Sequence, residues 1–199
     1  MLIQTPLYCA GPIQTFLPLL GHDQWHVIQE PAESANPFRN KLQIVDKQGI
    51  KTFTIPLKAS SRALPYEWHE MAYQERWQHQ LFNALQTAYG KAPFWEHYSP
   101  AFKAIILEHS SPYLWQFNMA LLKATLKALK WPVEIVIVQT DALPSVPPAH
   151  SLPYYQVFAN EIGFYPGLSI LDLLFNEGIN ALDVLWAMKN NTQTIKYLR

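Results

Sequence analysis

Few residues in this chain fall into a spacing that does known chemistry. His69-Glu70 opens the zinc-protease pattern HExxH, but Tyr73 occupies its fifth position, so the second ligand is missing. His22 and His26 stand four apart, which would put two imidazoles on one face of a helix. They flank Trp25 close to an expected strand, no further ligand is evident, and the plainer reading is of surface or core histidines. Cys9 is the single cysteine, which excludes an internal disulfide and a four-cysteine zinc site. A nucleophilic thiol would need an adjacent base or a helix N-terminus, and neither is visible, so Cys9 reads as a small buried residue. The glycine-rich patterns GxGxxG and GxxxxGK and the nucleophile elbow GxSxG are absent. No metal or cofactor is expected.

A second set of polar residues is isolated among apolar ones. Arg39 follows Phe38 just before an expected strand. Its planar guanidinium could clamp a phosphate or carboxylate, or bond loop carbonyls. Asn40 and Asn118 could hydrogen-bond a sugar or an amide. Asn118 sits in an otherwise apolar helical stretch and needs a partner if buried. Asp172 lies within the apolar run Leu168 to Phe175. Buried and ionised, it would need a cation, for which Arg39 is a candidate, or several donors. Amphipathicity alone would turn it to solvent in a first helical turn. Asn176-Glu177-Gly178 reads most simply as a helix-ending turn. Trp77, Tyr89, Trp95 and Tyr98 could form a sugar-stacking platform or, at helical spacing, a core.

Three blocks of structure must position these groups. Residues 1–58 look strand-rich. Leu2 to Thr5, His26 to Gln29, Lys41 to Asp46 and Ile50 to Ile55 are strand candidates, the last two joined by Lys47-Gln48-Gly49 as a hairpin. Pro12 to Leu20 could be a short helix closed by Gly21. Residues 66–131 are helical in pattern. Tyr73 to Tyr89 repeats near 3.6 with Gly90 as its cap, and Ser99-Pro100 and Ser111-Pro112 read as two helix starts. The third block opens with Val133 to Val138, which has the composition of a buried strand. A proline-rich loop follows over 142–153, and Tyr154 to Phe158 is a last strand or an extended approach. Leu168 to Phe175 and Ala181 to Lys189 read as helices, the second capped by Asn180 with Asp183, and the residues after Asn190 as a fraying end or an edge. The irregular alternation predicts a single α+β domain over 1–199: a mixed sheet with an N-terminal hairpin, packed by a helical middle and C-terminal helices.

Composition narrows the partners. Of 199 residues, 49% are apolar and only 15% charged, so the chain is not disordered. Fifteen basic side chains balance fifteen acidic ones, which leaves no bulk field for nucleic acid. An anionic substrate would have to be held by a local site. No export signal, membrane span or lipidation motif is visible, and a cytoplasmic location is expected.

The C-terminal run Pro153-Tyr154-Tyr155-Gln156-Val157-Phe158, followed by Gly163-Phe164-Tyr165-Pro166-Gly167-Leu168-Ser169-Ile170-Leu171-Asp172-Leu173-Leu174-Phe175-Asn176-Glu177-Gly178, resembles the signature of the WbqC-like protein family. Upstream, Phe38-Arg39-Asn40 is similar to its aromatic-Arg-Asn step, and a hairpin ending in Ile55-Pro56 follows. Trp77, Ala88-Tyr89, Pro93-Phe94, Tyr98 and Phe117-Asn118 resemble further family positions, so the likeness runs over about residues 2–186. The short loop at 140–152 is similar to the short form found in Bacteroidetes-type bacteria. Two places depart: Leu81-Phe82 stands where relatives carry His-Trp, and Tyr8-Cys9-Ala10 where they carry Tyr-Leu-Pro. A catalytic histidine there would be lost, whereas a packing one would be exchanged benignly.

The resemblance implies a role in O-antigen or other surface polysaccharide biosynthesis, as an acyl- or aminoacyl-type transferase acting on a nucleotide-sugar or amino-sugar. Substrate-binding candidates are Arg39, Asn40, Trp77, Tyr89, Asn118, Asp172 and Asn176. The transferase reading expects Arg39, Asn40, Asn118 and Asp172 to line one pocket. The alternative, a non-catalytic interaction protein supporting a biosynthetic complex, expects an exposed aromatic patch.

Overall fold

Parallel and antiparallel strand pairings are divided between two small sheets. The computed structural model describes residues 3–30, 36–74, 76–140, 144–149 and 152–197, with side chains to residue 191. Among them, β1 (Gln4–Pro6), β2 (Gln24–Gln29) and β5 (Glu134–Gln139) form a parallel sheet in the order β1-β2-β5. β3 (Lys41–Asp46) and β4 (Gly49–Thr54) form an antiparallel hairpin. Among the described residues six α-helices complete an α+β architecture: α1 (Trp77–Tyr89), α2 (Trp95–Glu108), α3 (Leu114–Ala128), α4 (Ala159–Ile162), α5 (Ile170–Glu177) and α6 (Ala181–Tyr197).

The hairpin forms where local chemistry asks for it. Asp46 faces Gly49 across a two-residue turn, Lys47-Gln48, and the Asp46 carboxylate accepts from the Gln48 amide at 2.8 Å. Gly49 takes φ +106°, open to glycine without strain. At the open end the Asn40 side chain donates to the Ile55 carbonyl at 2.8 Å.

Several boundaries differ from the sequence reading. Pro12 to Leu20 makes two 3-10 turns, Ile13–Thr15 and Leu17–Leu19, instead of one helix. α1 starts at Trp77, not Tyr73, because Arg76 sits at φ +47° and breaks the path. Gly90 does cap it, but in helical conformation. There a Cβ would lie 2.6 Å from the Gln86 carbonyl oxygen. Ser99-Pro100 does not start a helix, since both residues lie inside α2. Glu96, whose carbonyl loses a donor to Pro100, is exposed and can turn to water. After Ser111-Pro112 the helix begins only at Leu114. Ser111 Oγ accepts instead from the Tyr113 amide at 3.2 Å, and the Pro112 carbonyl accepts from Met71 N at 2.8 Å.

Near the C-terminus, Tyr154 to Phe158 is not a strand: 154–156 are irregular, and Val157 and Phe158 turn into α4. Asn180 caps nothing, because its 3-10 turn runs directly into α6, which continues to Tyr197. β5 is a strand as expected but not a buried one. It lies at the sheet edge, with Ile137 53% exposed. Leu2, residues 141–143, His150 and Ser151 lie outside the described residues.

Aromatics fill the centre. Phe175 of α5 meets the rings of Tyr89, Trp95 and Phe102 with centroids 5.4, 4.9 and 5.8 Å away. Bonds from Ser169 N to the Gln43 carbonyl and from Ile170 N to the Gly11 carbonyl, both 2.9 Å, fasten the start of α5 to the hairpin and to the β1–β2 connection. That stitch places Asp172 in the core.

Candidate functional site

The polar residues singled out from the sequence do not line one pocket: Arg39 and Asn118 fall into one closed cluster, Asp172 and Asn176 into another, and Asn40 bonds the Ile55 carbonyl of the hairpin. In the first, Arg39 Nη2 bonds Glu30 Oε2 at 2.7 Å, and both side chains are nearly sealed from solvent. Asn36 donates to the other Glu30 oxygen at 2.7 Å. The guanidinium lies 4.8 Å over the Tyr66 ring. Asn118, fully buried, donates at 2.7 Å to the Arg39 carbonyl and also to the Tyr66 hydroxyl. Burial first, then the Glu30 charge, pushes the Tyr66 phenol well above its ordinary value. The ion pair and the Asn36 bond join loop to loop, and Asn118 fastens that loop to α3.

The second cluster surrounds Asp172, which is 0% exposed and so does not face solvent. Its Oδ2 accepts from the Tyr154 hydroxyl and from Gln156 Nε2 at 3.0 Å. Gln156 also bonds the Tyr165 backbone in both directions, at 2.9 and 3.0 Å. Asn176 donates back to the Asp172 carbonyl at 2.8 Å, as a helix-internal bond. The Tyr89 hydroxyl sits close enough to act on the carboxyl but makes no hydrogen bond of ordinary geometry, and Oδ1 is left without one. Burial raises the Asp172 pKa to about 6, while the Tyr154 and Gln156 donors and the nearby Tyr89 hydroxyl hold it back. Arg39 does not reach Asp172. Its carboxylate partner is Glu30, which had drawn no notice in the sequence because nothing local pairs residues nine apart outside a helix.

The remaining candidates are packing or structural residues. Trp77 and Tyr89 are 2% and 1% exposed, and Trp95 and Tyr98 are buried beside them, so their rings meet other side chains and not a cleft. Leu81 is buried and Phe82 stacks on Trp95 at 5.9 Å, so the place of the family's His-Trp pair is a packing position here. The Cys9 thiol is fully buried, and burial drives its pKa far above the ordinary range. His26 lies on β2, so the His22–His26 pair does not share a helix face. His69 bonds the Leu64 carbonyl at 2.9 Å, and Glu70 pairs with Lys58 at 2.6 Å. Among the described residues no cluster of three or more His, Cys, Asp or Glu is placed to hold a metal.

An open concavity appears elsewhere, over the β3–β4 turn. It encloses about 360 Å³ between that turn and the last turn of α1. Lys47, Lys51 and Lys91 line it together with Gln48, Gln86 and Phe158. Asp46 forms an ion pair with Lys51. Burial works against the Asp46 charge, but Lys51 and the Gln48 amide outweigh it and hold the carboxyl below its usual value. Ala88 forms part of the wall, and its neighbour Tyr89 points inward toward Asp172. The cleft and the Asp172 cluster therefore share one turn of helix. Sequence reasoning missed these lysines because each looks like ordinary turn or cap solubility. Their one signal was three cations flanking two predicted turns in a chain of zero net charge.

Searches of curated proteins and of solved structures return no match. A family model, the WbqC-like protein family, matches residues 19–146. That span holds Arg39, Asn40, Trp77, Tyr89, Asn118 and the three cleft lysines. It ends before Asp172 and Asn176. More than half of the chain is covered, and the chain belongs to the WbqC-like protein family.

Proposed function

We propose that this protein is an acyl- or aminoacyl-type transferase of surface polysaccharide (O-antigen) biosynthesis, acting in the cytoplasm as one domain. It holds a nucleotide-sugar or amino-sugar substrate in the cleft above the β3–β4 turn. The observation that carries this reading is the convergence of Lys47, Lys51 and Lys91 on one concavity in a chain without net charge. A volume of about 360 Å³ is in the range of small-molecule sites. Ammonium groups favour phosphate oxygens, Gln48 and Gln86 offer uncharged donors and acceptors, and the half-buried Phe158 offers a ring face. The reaction class is what the family resemblance implies, and nothing in the cleft geometry selects it.

The test is ligand profiling by thermal melting against nucleotide-sugars and acyl donors. A binding ligand raises the melting temperature with the logarithm of its concentration over its Kd, and Lys47→Ala with Lys91→Ala abolishes the rise. If no nucleotide-sugar or amino-sugar shifts the wild-type protein, the reading fails.

A non-catalytic interaction protein is the second reading, favoured by one surface feature. Leu64 and Trp68 are 44% and 51% exposed, and the Trp68 ring meets the Tyr113 edge at 5.6 Å. It expects a co-purifying partner that Trp68→Ser releases, and no response to nucleotide-sugars.

A further inference from the structure

The composition of β5 and its position in the sheet disagree. Glu134-Ile135-Val136-Ile137-Val138-Gln139 is apolar on both faces, which is the composition of an inner strand. Yet β2 is its only strand neighbour among the described residues, and Ile137 is 53% exposed. The opposite edge of the same sheet is protected: β1 has three residues and ends in Pro6. β5 has six residues, no proline, no lysine and an unbroken register against β2. A cleft of about 350 Å³ opens between its odd-numbered face and α3, lined by Trp115, Met119, Ala120, Lys123, Ile135 and Ile137.

We propose that a second copy of this chain docks on this edge, its β5 antiparallel to the first across a two-fold axis at Ile137. The two three-stranded sheets then join into one of six strands. Three arguments select the copy as occupant. An axis perpendicular to the sheet keeps each face on its own side. The Ile135 and Ile137 side chains of each copy therefore meet the same face of the other, and both α3–β5 clefts close in one step. Glu134 is the only charge on the strand. Antiparallel pairing about Ile137 sends the two carboxylates to opposite ends, roughly 20 Å apart and beyond a Debye length at physiological salt, whereas parallel pairing would set them side by side. Pairing of β5 with β1 of another copy, which would build an open filament, is opposed by Pro6 and the shortness of β1.

Sedimentation and light scattering over a dilution series test this. The wild-type protein runs at twice its chain mass of 22.9 kDa and dissociates on dilution. Ile137→Lys, at a position exposed in the single chain, halves the mass and leaves the far-ultraviolet circular dichroism unchanged. A monomeric wild-type protein overturns the proposal. Protection of β5 amides from hydrogen exchange in that monomer would assign the edge to another part of the same chain. A foreign protein bound in fixed ratio would assign it to a different partner. A dimer that survives Ile137→Lys overturns the proposal as well.

Discussion

The Tyr154 hydroxyl donates to the Asp172 carboxyl inside the protein, where Tyr154 is 9% exposed and Asp172 not at all. This one bond ties the irregular segment after the proline-rich loop to α5. The phenol is pushed up by burial and by the Asp172 charge, so it stays a donor across the accessible pH range.

Burial of the Asp172 carboxyl carries a pH signature, which the Tyr154 donor reduces. The folded Asp172 carboxyl titrates near 6, against an ordinary 3.8. Between those values the folded protein keeps a proton that the unfolded chain releases. The contribution of Asp172 is therefore fully present below the ordinary value and is lost as pH rises toward 6, by about 3 kcal/mol. Denaturant titrations across that window should show Asp172→Asn flattening the slope relative to wild type. An unchanged slope would mean that the carboxyl is not held proton-bound in the fold.

Tyr154→Phe separates the donor from the ring. It leaves the Phe164 edge contact at 5.2 Å but deprives the carboxylate of its hydroxyl. The expected cost at neutral pH is about 1–3 kcal/mol, with the Asp172 pKa moving further up. Equilibrium unfolding with carboxyl chemical shifts checks both parts.

Arg39→Ala should destabilise by about 3–5 kcal/mol, because it strands the sealed Glu30 carboxylate without its 2.7 Å partner. If Arg39 instead served substrate, the same change would weaken ligand binding and leave the denaturation midpoint in place.

Gly178 sits at φ +55° with the Phe94 ring 2.3 Å from where a Cβ would stand. Gly178→Ala combines backbone strain with overpacking and should cost upward of ~2 kcal/mol. Gly163, at φ +83° with nothing within 4 Å, carries backbone strain without the clash, and Gly163→Ala should cost less, about 1–2 kcal/mol. Equal losses at both sites would show that the Phe94 contact is not the cause.

In the cleft, Lys47→Ala and Lys91→Ala should each weaken binding of a nucleoside diphosphate about tenfold and steepen nothing in the unfolding curve, since both side chains are exposed. Isothermal titration at two salt concentrations reads this directly, with the weaker affinity at higher salt.

The β3–β4 hairpin was legible because its information is local. Alternation sets the faces, and a polar turn with glycine sets the reversal. The Ser-Pro pairs misled for the same reason: Ser99-Pro100 carries a local start signal, but packing of Trp95 and Tyr98 carries α2 through it. β5 was read correctly as a strand and wrongly as buried, since its burial depends on which neighbours the sheet order leaves it.

For the site, residue types determined that Arg39, Asn118 and Asp172 must have partners if buried, that no glycine-rich phosphate loop or nucleophile elbow was present, and that the HExxH pattern was broken at Tyr73. They also carried the family resemblance. Only the tertiary structure decided the pairings: Arg39 with Glu30, Asn118 with Tyr66, Asp172 with Tyr154 and Gln156. It also decided that three unremarkable lysines share one cleft. The physical reason is that burial and electrostatics act through space. A chain can state that a charge needs an answer, but folding chooses which distant group supplies it.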